Sequence, residues 1–91
     1  GGAVALRNYL RTNMRYPEPD KSRGVAGRVA VQVVVEPNGQ LVEPVVTRKV
    51  SDALDQEALR LVRAMPAWEP GKRAGTAVRC RHTITVNFTL N

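Results

Sequence analysis

His82 and Cys80, the latter flanked by Arg79 and Arg81, are the side chains best suited to chemistry. An imidazole titrates near neutral pH and serves as base or metal ligand, and a thiol beside guanidinium groups is the kind that becomes a reactive thiolate. Neither has the company such chemistry needs. His82 is the sole histidine and Cys80 the sole cysteine, so they can build neither a zinc cluster nor an internal disulfide. On an outward strand position with no acid cluster nearby, His82 reads as a surface residue, and Cys80 as a semi-exposed thiol open to modification. Asp52, Asp55 and Glu57 fall on one helical turn, as paired catalytic carboxylates would, but acids there are explained by helix capping and the helix dipole. Trp68 could stack on a ligand; anchoring the turn after a helix accounts for it. No nucleophile, base and orienting group occur together, so an enzyme is not expected, and no cofactor or metal is called for.

Ninety-one residues suffice for one domain, 1–91, and not for two. The 14 Lys and Arg outnumber the 8 Asp and Glu, a formal +6 that could suit nucleic acid, anionic lipid or an acidic envelope polymer. The basic residues never run more than two together and have few aromatics among them, so a solvated basic surface is expected and nucleic acid is not. No apolar run reaches the roughly 18 residues of a membrane span. The start at Gly1-Gly2, without methionine or signal-peptide pattern, reads as the end of a linker or a cloning scar on a fragment of a longer protein.

The elements that must position these side chains follow from periodicity. Ala3 to Met14 forms a short amphipathic helix, marginal without packing, so residues 1–15 read as a linker end and short helix before a core of residues 16–91. Tyr16-Pro17-Glu18-Pro19 ends it, and the charged stretch through Gly24 reads as a loop. From Arg28 to Glu36 the chain alternates as a strand, with Val29, Val31, Val33 and Val35 on one face and Arg28, Ala30, Gln32, Val34 and Glu36 on the other. Pro37-Asn38-Gly39 turns the chain, since Asn and Gly tolerate positive φ, and Gln40 to Val50 returns. Leu41 and Val46 are both core candidates at an odd spacing, which a bulge near Pro44 reconciles.

Ser51 and Asp52 start a second helix, with Leu54, Ala58, Leu61, Val62 and Met65 on one face and Asp55, Glu57, Arg60 and Arg63 on the other. Pro66 stops it, and Trp68 follows in extended chain before a turn signal from Pro70 through Gly75. Arg79 to Asn91 alternates again, with Ile84, Val86, Phe88 and Leu90 facing in and Thr83, Thr85, Asn87 and Thr89 facing out. The threonine stripe suits either a recognition face or the solvent face of a strand. The order predicts an α+β two-layer sandwich, a short helix and then β-β-α-β, with a three-stranded antiparallel sheet packed on one main helix. The last strand has no successor in the chain, so it is expected at a sheet edge, open to another strand.

Four segments together, YLRTNMRYP (Tyr9 to Pro17), GVAGRVAVQVVVEPNG (Gly24 to Gly39), LDQEALRLVRAMPAWEPGKRAG (Leu54 to Gly75) and VNFTL (Val86 to Leu90), resemble the TonB C-terminal domain family over nearly the whole chain. The resemblance implies the periplasmic domain of an energy transducer whose full protein has an inner-membrane helix and a proline-rich spacer. Such a protein couples to a proton-driven motor complex in the inner membrane. It also implies binding of the TonB box of outer-membrane receptors for siderophores, cobalamin or glycans, by strand addition along Cys80, Arg81, His82, Thr83, Ile84, Thr85, Val86, Asn87 and Phe88. Asn13 and Tyr16 stand at the family positions that approach the bound peptide, although Met14-Arg15 departs from the family's Pro-Gln between them. The competing expectations are a module binding peptidoglycan or lipopolysaccharide, and the same domain fused to a sensor or secretion subunit. Open edges in fragments of this size also exchange strands, so a monomer or a strand-exchanged dimer is expected.

Overall fold

The computed structural model describes residues 2–90, and within them three helices and five strands. In chain order these are α1 (Gly2–Asn13), α2 (Glu18–Arg23), β1 (Gly27–Val35), β2 (Leu41–Arg48), α3 (Asp52–Arg63), β3 (Gly71–Arg73), β4 (Thr76–Val78) and β5 (Cys80–Phe88). The main sheet is antiparallel in the order β2-β1-β5, and β3 and β4 form a separate two-stranded hairpin. The expected sandwich is therefore present, with two additions. Gly1 and Asn91, the outer ends of the expected domain and last strand, lie outside the described residues.

β1 is central because β2 and β5 pair with its two edges, and one of its faces is apolar. Val29, Val31, Val33 and Val35 are buried, and the first three share one core with Leu54, Ala58, Leu61 and Val62 of α3 and Ile84, Val86 and Phe88 of β5. Burial of that apolar surface is the main source of stability in a chain this small. Leu90, expected on the same inward face, lies beyond the end of β5 and is exposed.

The turn between β1 and β2 has three loop residues. Glu36 N–H donates to Gln40 O (2.9 Å) and Gly39 N–H to Glu36 O (2.8 Å), and Gly39 has φ +88°. That is a type I turn closed by a residue in the left-handed region. Asn38 keeps negative φ and contributes its side-chain oxygen, which accepts from Gln40 N–H. The bulge expected in β2 is present, since pairing shifts register between Gln32↔Val45 and Val34↔Val42, where Glu43 takes φ +54° before Pro44.

Two segments differ from the sequence reading. Glu18 to Arg23 is helical, because Pro19 in the first turn sacrifices no needed N–H and Gly24 (φ +72°) caps the end. Its buried Asp20 accepts from the Ser51 hydroxyl, whose oxygen accepts in turn from Leu54 N–H (3.1 Å) as the N-cap of α3. Lys72 to Gly75 is part of a hairpin whose two-residue turn, Ala74 (φ +52°) and Gly75 (φ +81°), has the positive angles of type I′. Asp55, placed on the polar face by its period, is buried and accepts from Val50 N–H (3.0 Å), fixing the chain that enters α3. The helix itself ends at Arg63, and Ala64 and Met65 complete its last turn by donating to Arg60 O and Val62 O.

Candidate functional site

β5 pairs with β1 over its whole length, from Cys80↔Val35 to Phe88↔Gly27, without a register shift. Its other side has no partner strand among the described residues. Which of its backbone groups face that open side follows from the turn. Glu36 N–H points to β2, as does Ala30 C=O, which accepts from the Thr47 hydroxyl. Backbone groups alternate sides along a strand, so even residues of β1 serve β2 and odd residues serve β5. Val35, Val33, Val31, Val29 and Gly27 therefore exchange bonds with Cys80, His82, Ile84, Val86 and Phe88. The N–H and C=O groups of Arg81, Thr83, Thr85 and Asn87 therefore point to the side of β5 that has no partner strand among the described residues.

The nine residues expected to bind a partner strand thus divide in two. Five give their backbone to β1, and three of these, Ile84, Val86 and Phe88, also bury their side chains in the core. The other four offer backbone at the edge and exposed side chains on the face away from α3. His82 corrects one expectation. Although exposed, it sits on the core-side face of β5, its ring 4.9 Å from that of Trp68 in an edge-to-face contact. Trp68 is half-buried, donates its indole N–H to Met65 Sδ (3.3 Å), and through its main-chain N–H bonds Gly39 O (2.8 Å). One tryptophan thereby ties the end of α3, the β1–β2 turn and the first half of β5 together. Arg79 adds a second tie, pairing with both Glu36 and Glu43.

Tyr16 supports the far end of the same strand. Its ring packs edge-on against Phe88 at 5.6 Å, and its hydroxyl donates to Val25 O. Burial, followed by the Asp20 charge, raises its phenol above the ordinary value, so it stays a donor. Asn13 ends α1, exposed, with its amide donating to Tyr9 O (2.9 Å) and its carbonyl accepting from Arg60 (2.9 Å). Glu57 binds the segment after α1 to α3, accepting from Arg15 N–H (2.7 Å) and from Arg60 at Nε (2.7 Å) and Nη2 (2.6 Å). Burial raises its carboxyl, but the Arg60 and Arg15 hydrogen bonds and charges outweigh it, and the net position is below the ordinary glutamate value.

β2, at the opposite edge, is a poor template. Glu43 is kinked into the left-handed region, Pro44 has no N–H, and two register shifts interrupt the pairing. Kinks, prolines and bulges are how exposed edges are kept from pairing. Among the described residues no three His, Cys, Asp or Glu side chains gather as a metal site, and no helix is long and apolar enough to cross a membrane.

A family model described as the Gram-negative bacterial TonB protein C-terminal matches residues 12–90. Two solution structures of the Helicobacter pylori TonB C-terminal domain, of different lengths, are similar in fold. One has TM-score 0.69 and 20% identity, covering 94% of this chain and 78% of that one. The other has TM-score 0.71 and 19% identity, covering 94% of this chain and 90% of that one. None of the curated proteins matches the chain.

Proposed function

Since this chain belongs to the family of Gram-negative bacterial TonB C-terminal domains, we propose that it is the periplasmic gripping domain of an energy transducer. It binds the TonB box of outer-membrane receptors by adding that peptide as a strand beside β5. The single observation that carries this reading is the contrast between the two edges of the sheet. β5 is regular and open, with four residues turned outward, whereas β2 is kinked and bulged. Main-chain bonds supply affinity for any extended peptide, and the exposed Thr83, Thr85 and Asn87 side chains beside it supply preference. This suits one adaptor that serves several receptors for scarce nutrients such as siderophores.

Energy from a proton-driven inner-membrane motor reaches this domain as a pull, and the grip must hold during the pull and release afterwards. Four outward residues offer at most eight main-chain bonds, each worth a net ~0.5 to 1.5 kcal/mol, against an association cost of ~4 kcal/mol or more. With every bond at the upper end the balance reaches about 8 kcal/mol, so micromolar is the strongest affinity these bonds alone supply, strong enough to engage and weak enough to release. The test is backbone NMR with TonB-box peptides from receptors of the same bacterium. Shift changes are expected at Arg81 to Phe88 and at their β1 neighbours. Changes confined to α1 and the basic surface, weakening steeply with salt, would instead support binding of an anionic envelope polymer.

A further inference from the structure

The open edge does not stop at Cys80. β4 runs into β5 through the single residue Arg79, and the parity of the hairpin shows where β3 lies. In a two-residue type I′ hairpin the residues flanking the turn are a hydrogen-bonded pair, here Arg73↔Thr76, and Gly71↔Val78 is the next. Thr76 and Val78 therefore turn their backbone groups toward β3, as Cys80, His82 and Ile84 turn theirs toward β1. Alternation carried through Arg79 puts β3 and β1 on the same side of one bent strand, end to end. Two contacts agree. The Glu36 carboxylate beyond the end of β1 meets Arg79, and a side chain placed on Gly71 would meet Cys80 Sγ at 3.2 Å. Among the described residues the opposite side then has no partner strand from Ala77 to Asn87, and Ala77, Arg79, Arg81, Thr83, Thr85 and Asn87 face it.

We infer that the recognition edge extends along β4 and takes an extended peptide segment longer than β5 itself, acidic where it passes the hairpin. This rests on strand addition at β5 and specifies how far the partner strand reaches and what it carries. Eleven residues from Ala77 to Asn87 span roughly 36 Å, against roughly 30 Å for the nine of β5. Charge identifies the occupant. Lys72 pairs with Ala77 and so shares the face of Arg79 and Arg81, while Arg73, paired with Thr76 at the hairpin tip, is on the other face. Lys72, Arg73 and Arg81 are exposed and form no ion pair among the described residues, and Arg79 already holds Glu36 and Glu43. A strand running past them places alternate side chains on that face, where carboxylates find cations and lysines meet repulsion.

Amide hydrogen exchange on the free protein tests the geometry. Ala77 and Arg79 are expected to exchange as fast as Thr83 and Thr85, with Val78 slower; protected Ala77 and Arg79 beside an unprotected Val78 would place β3 on the outer side and overturn the inference. The partner is tested with a nine-residue receptor peptide that shifts β5 and with the same peptide lengthened by Glu-Thr-Glu at the end beside Cys80. The longer peptide is expected to bind at least about tenfold tighter. Ala77→Pro, which spares the hairpin bonds, is expected to erase that gain and leave the short peptide unaffected. Lys72→Glu is expected to erase most of it, with Lys-Thr-Lys in the extension restoring it. Equal affinity of the two peptides for the native chain would overturn the inference and leave strand addition standing; failure of both to bind would overturn the two together.

Discussion

Thr85→Pro separates an edge that grips from an edge that is merely exposed. Parity along β1 and β5 turns the Thr85 N–H outward, away from every partner in the domain, while its neighbours Ile84 and Val86 bond to β1. Proline at 85 removes no ladder bond, and its remaining demands are φ near −65° and an extended residue before it, which Ile84 already is. The cost to folding is about 1 kcal/mol, tolerable on an edge. Binding loses more. One donor disappears, the facing peptide carbonyl is left buried without a partner, and the ring occupies the space the peptide needs, together about 1 to 3 kcal/mol, or roughly 5- to 150-fold in affinity. Val86→Pro is the counter-case, because its N–H belongs to the ladder and its side chain to the core, so the domain itself is expected to lose about 3 kcal/mol or more. Thermal unfolding and calorimetric titration with a receptor peptide read the two quantities separately. A folded Thr85→Pro that binds like the native chain would refute the assignment of outward groups, and Thr85→Val, which keeps the N–H, is expected to retain most of the affinity.

Gly39→Ala places a Cβ against the Trp68 carbonyl oxygen at a backbone φ of +88°, so a loss of about 2 to 4 kcal/mol is expected in urea unfolding, with altered Trp68 fluorescence. Ser51→Ala removes the cap of α3 and the donor to buried Asp20, with an expected cost of about 1 to 2 kcal/mol and a fall of roughly 4 to 8 °C in Tm per kcal/mol. Glu57 has a folded pKa below its unfolded one, so its contribution is complete above the ordinary glutamate value of about 4.3 and disappears as pH falls through the folded value. On acidification the Arg15 amide and Arg60 Nε–H signals are expected to shift together as the segment after α1 loosens, and Glu57→Gln removes that step.

Strands with one buried face were legible because a period of two is unmistakable when valine fills every inward position, as at Val29 to Val35. The helix of Leu54 to Val62 was legible for the equivalent reason, and even the bulge at Glu43-Pro44 was implied by Leu41 and Val46 falling out of phase. What escaped was set by tertiary context. Six residues without an apolar period left α2 only its Pro19 start and Gly24 stop, signals that a loop shares, and it is also held by Asp20 reaching Ser51, 31 positions away. The β3–β4 hairpin turns on Ala74-Gly75, where the alanine takes a positive φ that its residue type does not announce. Asp55 looked like a solvent-facing acid and is a buried acceptor. For the candidate site, the stretch from Cys80 to Phe88 was visible in the sequence, but which four residues face outward required the bond at Glu36 and Gln40 to fix the parity.

On strand addition a receptor peptide becomes the fourth strand of the main sheet, beside β5. Intermolecular nuclear Overhauser effects between isotope-labelled domain and unlabelled TonB-box peptide test it most directly. Cross-strand contacts are expected from the peptide backbone to the amides of Arg81, Thr83, Thr85 and Asn87, with slowed exchange at those four amides. Peptide contacts to β2, or to side chains of the basic surface without any change in those four amides, would contradict it.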